Sequence, residues 1–291
     1  MLIQFDCCEC IIKQALRLAR EVDASAEKRG RYFRETLELF QRHSASATPP
    51  EMAAYYFALF AEQSGITDSF TEIKDRSTAL ALELYSEMEQ LCLNAGNDEF
   101  ATRVKLAVAG NMIDYGVNPD FDLSQAEQAI REVLDLPCDT NALADLKQRI
   151  EQAGKIVYIL DNCGEAVLDR LLLETMKDKV TIAVRGKAIM NDITRREIAA
   201  SNLADFPLID TGSNAPGAPL KLVSPEFRRT LESADLVIAK GQGNFESLEE
   251  DFTSKPIYFL LRAKCPVIQN YLGVDYGSLQ LIGKNLDTSR T

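Results

Sequence analysis

The strongest constraint on the fold is a change of residue pattern halfway along the chain. In the first half, apolar residues recur at helical spacing, as in Ile73, Leu80 and Leu84. In the second half, short β-branched runs alternate with helical segments, which predicts a parallel sheet with right-handed crossovers. The predicted fold class is therefore α/β, with an all-helical domain over residues 1–153 and a mostly parallel, Rossmann-like αβα sheet domain over residues 154–291.

Short apolar runs in the second half predict the strands of the sheet. They do not alternate strictly between apolar and polar residues, as expected for strands buried on both faces. The predicted strands are 155–160, 180–184, 206–209, 235–239, 256–260 and 265–269. The predicted helices between them lie near 165–177, 191–201, 224–232 and 244–250. Ligands of parallel sheets bind beyond the carboxyl ends of the strands, so the residues after each strand are the candidate site.

Composition excludes several classes of function. The 44 acidic and 32 basic residues give a net charge of −12, which disfavours binding to nucleic acid or to an anionic membrane surface. A single histidine, His43, excludes metal sites that need two or more histidines. The expected partner is a small molecule, and the sequence gives no indication of the oligomeric state.

Targeting signals and cysteine usage predict a cytoplasmic protein. No apolar run has the length of a membrane span, and the N-terminal residues lack the pattern of a signal peptide. The seven cysteines are odd in number and scattered, which is typical of free thiols in a reducing compartment.

Four successive strand-end loops carry carboxylates, amides, cations and glycines. In chain order, the candidates in these loops are Asp161, Asn162, Glu165, Arg185, Asp192, Gly212, Ser213, Lys240, Gly243 and Asn244. Chance would scatter such residues around the whole sheet, so this edge is the predicted site. Asp161, Asn162 and Asp192 offer hard oxygen donors that suit Mg²⁺ or Mn²⁺. Glycine-rich turns, helix N-termini and Lys240 favour an anion such as phosphate beside them.

Five motifs in this chain resemble those of one known family, DUF89, whose members are also called damage-control phosphatases or ARMT1-like proteins. The motifs are CCEC (7–10), GNMIDYG (110–116), DNCGE (161–165), RGKAIMNDIT (185–194) and KGQGNFE (240–246). The CxxC pair Cys7 and Cys10 resembles subfamily I, the CxxC-containing subgroup. The resemblance covers essentially the whole chain, whereas the RTxK signature of the eukaryotic branch is absent.

The resemblance implies a metal-dependent phosphatase that acts on small phosphorylated metabolites, namely sugar phosphates or damaged nucleotides. It implies that Asp161, Asn162 and Asp192 bind the divalent metal, which is Mn²⁺, Mg²⁺, Ni²⁺ or Co²⁺. It also implies that Lys240 and Asn244 line the substrate pocket and that Glu165 stands beside the metal loop.

For the reaction, we hypothesise that a water attacks the phosphoryl group while Lys240 and backbone amides neutralise the developing charge. Glu165 is the candidate to orient or deprotonate that water. In the alternative mechanism, Asp161 is itself the nucleophile and forms an aspartyl phosphate. Arg185 is expected either to contact the phosphate of the substrate or the other domain, or to form an ordinary buried ion pair.

Two further pairs have open roles. Asn111 and Asp114 lie one helical turn apart and are expected either to help close the substrate pocket or simply to belong to a helix end with Gly116 as its C′ residue. Cys7 and Cys10 share a helix face but do not complete a tetrahedral zinc site, so a redox couple, a shared metal and free thiols all stay open.

Simpler structural roles and other functions compete with this interpretation. Asp161 and Asn162 could cap a helix, and Lys240 could be a solvated surface charge. An S-adenosylmethionine-dependent methyltransferase also suits a parallel sheet, although no GxGxxG follows the first strand. A non-catalytic module that binds a metal or nucleotide is the other alternative.

Overall fold

A computed structural model describes residues 1–23, 25–110 and 123–286. Within these described residues, seven α-helices precede the first strand: α1 (Cys7–Val22), α2 (Ala26–His43), α3 (Pro49–Ser64), α4 (Thr71–Asn94), α5 (Glu99–Ala109), α6 (Leu123–Asp135) and α7 (Thr140–Gln152). The predicted apolar face of α4 is confirmed, because Leu80, Leu84 and Met88 are buried.

The second half alternates strand and helix as predicted. Its strands are β1 (Ile156–Ile159), β2 (Val180–Val184), β3 (Leu208–Asp210), β4 (Leu236–Lys240), β5 (Ile257–Arg262) and β6 (Leu279–Lys284). Its helices are α8 (Cys163–Leu173), α9 (Pro225–Glu232), α10 (Gly241–Leu248) and α11 (Pro266–Leu272).

These strands form one sheet in the order β3-β2-β1-β4-β5-β6. The first five strands are parallel, and β6 pairs antiparallel with β5 at the edge. The order of connection reverses between β1 and β4, and in such sheets a crevice opens at this switch point beyond the carboxyl ends of the strands. The α/β fold class is confirmed, with helices in the first half and a mostly parallel sheet in the second.

Helices from the first half cover both faces of the sheet. Residues of α4 to α7, together with α8 from the second half, pack against β1, β2 and β4 in one hydrophobic cluster. Residues of α1 to α3 pack against the opposite face of the sheet in a second cluster. Each cluster therefore combines residues from both halves of the chain. The division into domains 1–153 and 154–291 stays a prediction.

Two predicted elements are wrong. Residues 265–269 form the start of α11 and not a strand, because Pro266 occupies a first-turn helix position and Gly273 ends the helix in the left-handed conformation. The sixth strand is instead β6, which the weakly patterned run 279–284 did not reveal. Between residues 191 and 201 the chain forms only a short 3-10 turn, Arg195–Glu197.

Two findings bear on the environment of the protein. Among the described residues, no helix combines the length and apolar character that crossing a membrane requires. All seven cysteines are free thiols.

Candidate active site

A cavity of about 380 Å³ opens at the carboxyl ends of the strands, and we call it the strand-end cavity. Its walls come from α1, the first half of α3, the loops after β1, β2 and β3, α10, and the end of β5 with the residues that follow it. Side chains with chemical functions line it: Cys7, Cys10, Asp161, Asn162, Asp192, Glu246, Arg262, Lys264 and Cys265. The loops that the sequence singled out after β1, β2 and β4 thus reach one cavity.

Asp161 and Asp192 are held together by a buried arginine. Arg185 donates from Nε to Asp192 Oδ2 at 2.6 Å and from Nη2 to Asp161 Oδ1 at 3.1 Å. Its Nη1 is 3.4 Å from Asn244 Oδ1, and its side chain has no exposed surface. Of the two roles predicted for Arg185, the structure gives the buried ion pair. We call Asp161, Arg185, Asp192 and Asn244 the Arg185 cluster.

The backbone also joins the two acidic loops. An isolated antiparallel bridge pairs Asn162 with Asp192, and the Ile193 amide donates to the Asp161 carbonyl at 2.9 Å. Asn162 precedes α8 in extended conformation, and its side chain does not cap that helix. The capping role considered for this residue is therefore not seen, and the amide lines the cavity instead.

The donors at this edge fit a divalent cation. Each aspartate gives one oxygen to Arg185, and its other oxygen has no hydrogen-bond partner among the described residues. Burial and the neighbouring carboxylates raise the pKa of Asp161, and burial raises that of Asp192 against the opposing charge of Arg185. A cation would stabilise both ionised forms. Described residues include no cluster of three or more His, Cys, Asp or Glu side chains able to hold a metal, and beside the two aspartates the cavity is lined by the amide of Asn162.

Gly241 makes room for Asp161. Its φ of +78° lies in the left-handed region, and a Cβ at this position would stand 1.9 Å from Asp161 Oδ2. Only glycine therefore lets the first turn of α10 lie against this carboxylate. Asn162 at the start of α8 and Gly243 in the first turn of α10 both line the cavity, so two helix N-termini bring partial positive charge to it.

Lys240 lies in a different, sealed environment. Its Nζ donates to Glu165 Oε1 and to Asp169 Oδ1, both at 2.6 Å, and to the Ala107 carbonyl at 2.7 Å. The Tyr158 hydroxyl donates to the same Asp169 oxygen at 2.8 Å. We call Tyr158, Glu165, Asp169 and Lys240 the Lys240 cluster.

Burial and the neighbouring charges shift the pKa of Lys240 in opposite directions. Burial opposes the charge on Lys240, but the Asp169 and Glu165 carboxylates outweigh it and raise the lysine pKa. Burial raises the pKa of Asp169. Lys240, Glu165 and Asp169 are almost completely shielded from solvent and do not line the strand-end cavity. The surface-charge role considered for Lys240 is therefore excluded, and its predicted place in the substrate pocket is not observed.

The remaining predicted residues divide into three groups. Gly243 lines the cavity, whereas Gly212 and Ser213 do not, because the Ser213 carbonyl accepts from the amides after β2 and holds that loop. Asn244 is buried and joins the two clusters: its Nδ2 donates to the Lys240 carbonyl at 2.7 Å. Asn111 and Asp114 lie outside the described residues.

Sequence reasoning missed three charged residues of the cavity, Arg262, Lys264 and Glu246. Arg262 and Lys264 lie between the predicted strands 256–260 and 265–269, and the predicted site included only the loops after the first four strands. Glu246 entered only as part of the KGQGNFE motif. The structure does bring the CxxC pair to this site, because Cys7 and Cys10 line the cavity together with Cys265.

Comparisons with known proteins agree along nearly the whole chain. Residues 3–279 match the family model described as the damage-control phosphatase ARMT1-like domain. A damage-control phosphatase of Pyrococcus horikoshii is 32% identical, with 96% of this chain and 97% of the relative covered. A damage-control phosphatase of Archaeoglobus fulgidus is 29% identical, with 94% and 96% covered.

An uncharacterized protein of Methanocaldococcus jannaschii is also similar, at 32% identity over 96% of this chain and 95% of the relative. Among solved structures, the crystal structure of a DUF89 family protein from Pyrococcus horikoshii superimposes with a TM-score of 0.83 at 32% identity. That match covers 96% of this chain and 98% of the solved one.

Proposed function

This chain belongs to the damage-control phosphatase ARMT1-like family, and from that premise we propose that it is a divalent-metal-dependent phosphatase. Its substrates are phosphate monoesters of small metabolites, either sugar phosphates or damaged nucleotides, so that its role is metabolite repair. The observation that carries the proposal is the placement of Asp161 and Asp192 in the Arg185 cluster. Their carboxylates, each with one oxygen not bonded to Arg185, border a cavity of about 380 Å³ together with the amide of Asn162. A cavity of this size suits a small-molecule ligand.

Asp161, Asn162 and Asp192 would hold the metal, which is Mn²⁺, Mg²⁺, Ni²⁺ or Co²⁺. Their oxygen donors are typical of sites for Mg²⁺ or Mn²⁺. A bound ion supplies Lewis-acid stabilisation of the charge that develops on the phosphoryl oxygens. Arg185 keeps both carboxylates in place from behind, because its guanidinium bonds one oxygen of each.

Arg262 and Lys264 are assigned to binding the anionic phosphoryl group. Both line the cavity at the end of β5, and no other lysine or arginine does so among the described residues. The N-termini of α8 and α10 add partial positive charge from the same side. This assignment moves the phosphate-binding role from Lys240, which is occupied by Glu165 and Asp169, to the residues after β5.

Lys240 and Glu165 act as positioning residues in this proposal. Their ion pair fixes the end of β4 against α8, the helix that begins next to Asn162. The nucleophile is either a water or Asp161 itself. Acid quenching during turnover followed by mass spectrometry distinguishes them, since a phosphorylated Asp161 peptide supports the aspartyl phosphate and contradicts direct attack by water.

A phosphatase screen tests the proposed function. Release of phosphate from a panel of sugar phosphates and nucleotides is measured with each of the four metals and with a chelator. The expected result is hydrolysis that the chelator abolishes and added metal restores. Asp161→Ala and Asp192→Ala are expected to lose at least about 100-fold in kcat/KM, above the usual effect of outer-shell partners.

Asp205→Ala is the matched control, because this aspartate is 85% exposed and lies away from the cavity. Wild-type rates in Asp161→Ala or Asp192→Ala under saturating metal would contradict the ligand assignment. No turnover on any member of the panel with metal present would instead favour the non-catalytic module.

A further inference from the structure

Glu246 is a carboxylic acid of the strand-end cavity with no role so far. It lies in α10 three residues after Gly243, so the two residues share one face of the helix, and both line the cavity. Its side chain is partly buried. Asp161, Asn162 and Asp192 come from the β1 and β2 loops, so Glu246 belongs to a different wall of the same cavity.

Glu246 differs from the other two cavity carboxylates in its partners. Asp161 and Asp192 each bond Arg185, whereas the Glu246 carboxylate has neither a hydrogen bond nor an ion pair within the described parts of the chain. Its backbone carbonyl accepts a hydrogen bond from the Met1 amino group at 2.9 Å. That amino group forms its ion pair with Glu250, at 3.1 Å.

Burial acts on this unpaired carboxyl and raises its pKa from 4.5 to about 7, against the opposing charge of the Met1 amino group. At neutral pH a large fraction of Glu246 therefore carries a proton, as a general acid requires. The titratable and charged groups around it are the Met1 amino group with its partner Glu250 on one side and, lining the cavity, Cys7, Cys10, Tyr56, Asp161, Asp192, Arg262, Lys264 and Cys265.

We propose that Glu246 is the general acid that protonates the leaving-group oxygen during phosphoester hydrolysis. The inference rests on the proposed phosphatase function. As the bond between phosphorus and the ester oxygen breaks, its electron pair stays on that oxygen, which takes the proton of Glu246. Water supplies the oxygen that phosphorus gains, and a proton from that water returns Glu246 to its acid form. The net reaction is a phosphate monoester plus water giving an alcohol plus phosphate.

Two esters that differ only in their leaving group test this role. An alkyl phosphate, such as glycerol phosphate or a sugar phosphate from the screen, releases a strongly basic alkoxide that needs the proton. p-Nitrophenyl phosphate releases a stable phenolate that does not. In Glu246→Gln, kcat on the alkyl ester is expected to fall about 10²–10⁴-fold, and kcat on p-nitrophenyl phosphate by less than about tenfold.

The pH profile supplies a second readout. In wild type, kcat on the alkyl ester falls as pH rises through the pKa of the acid, and Glu246→Gln is expected to lose that alkaline limb. Glu226→Gln, a change at an exposed glutamate in the first turn of α9 and away from the cavity, is the matched control and is expected to keep both rates and the profile. Circular dichroism checks that both variants fold.

Equal losses on the two esters, or an unchanged alkaline limb in Glu246→Gln, would overturn the general-acid role and leave the phosphatase function intact. Failure of the wild-type enzyme to hydrolyse any phosphate ester with metal present would overturn both proposals.

Discussion

Two buried cations flank strand β1, and each is held between two carboxylates. Arg185 follows β2 and bonds Asp161 and Asp192, whereas Lys240 ends β4 and bonds Glu165 and Asp169. The Arg185 cluster borders the strand-end cavity, and Arg185 bonds only one of the two carboxylate oxygens of each aspartate. The Lys240 cluster is closed in by Tyr158 and the Ala107 carbonyl.

This difference separates the chemistry of the two clusters. A cation with two carboxylates is electrostatically similar in both places, but a ligand can reach only the one beside the cavity. Buried ion pairs are costly to break and add little net stability, so their presence alone does not identify an active site. Access to the cavity, and not the set of residues, is the reason why we propose the Arg185 cluster as the reactive one.

The largest expected effect follows from removing the sealed cation. Lys240→Met removes the buried cation that bonds both Glu165 and Asp169 and is expected to lower the free energy of unfolding by about 3–5 kcal/mol. Urea denaturation measures it. Arg31→Met removes one member of an exposed ion pair and is the control, with an expected change within about 1 kcal/mol. If Lys240→Met changed the free energy of unfolding as little as Arg31→Met does, the Lys240 cluster would be hydrated, and the contrast between a sealed and an accessible cluster would be wrong.

An intermediate effect on activity and stability is expected at Gly241, where the backbone lies against Asp161. Gly241→Ala would place a methyl group against Asp161, so we expect kcat/KM to fall about 10–100-fold. Left-handed strain should lower the free energy of unfolding by about 1–2 kcal/mol. Phosphate release and urea denaturation measure the two effects.

Gly65→Ala separates strain from displacement. Gly65 has a similar φ of +74°, and an added methyl group there would meet no atom within 4 Å, so this variant should lose stability but keep full activity. If Gly65→Ala and Gly241→Ala lost activity equally, the contact with Asp161 would not be the cause.

The smallest effect concerns pH. The pKa of Glu246 is raised from 4.5 to about 7 in the folded state, so the folded protein binds this proton more tightly than the unfolded chain. Its contribution to stability is complete below pH 4.5 and is lost as pH rises toward 7. Glu246→Gln should reduce the fall in unfolding free energy between pH 5 and pH 8 by about 1–2 kcal/mol, measured by urea denaturation. An identical fall in wild type and variant would contradict the assigned pKa shift.

The sequence predicted the alternation of strand and helix because each element carries its own apolar pattern. It failed at residues 265–269, where Pro266 starts a helix within an apolar run, and at β6, which depends on pairing with β5. Arg262 and Lys264 were missed for a separate reason, because the predicted site included only the loops after the first four strands.

Asp161, Asn162 and Asp192 could be proposed as a group because topology alone brings the loops after β1 and β2 together. The separation of Lys240 from them could not be predicted. Lys240 follows the same rule of position after a strand, and only the packing of α8 and α5 decides that its side chain points into the core. Glu246 was hidden for a similar reason, since its lack of a partner is a property of the folded structure.

Isothermal titration calorimetry with Mn²⁺ tests the central claim most directly, using one carboxylate from each cluster. Wild type and Asp169→Asn are expected to bind Mn²⁺ with the same affinity, whereas Asp192→Asn should bind at least about 100-fold more weakly. Wild-type affinity in Asp192→Asn, or a loss of binding only in Asp169→Asn, would contradict the assignment of the metal to the Arg185 cluster.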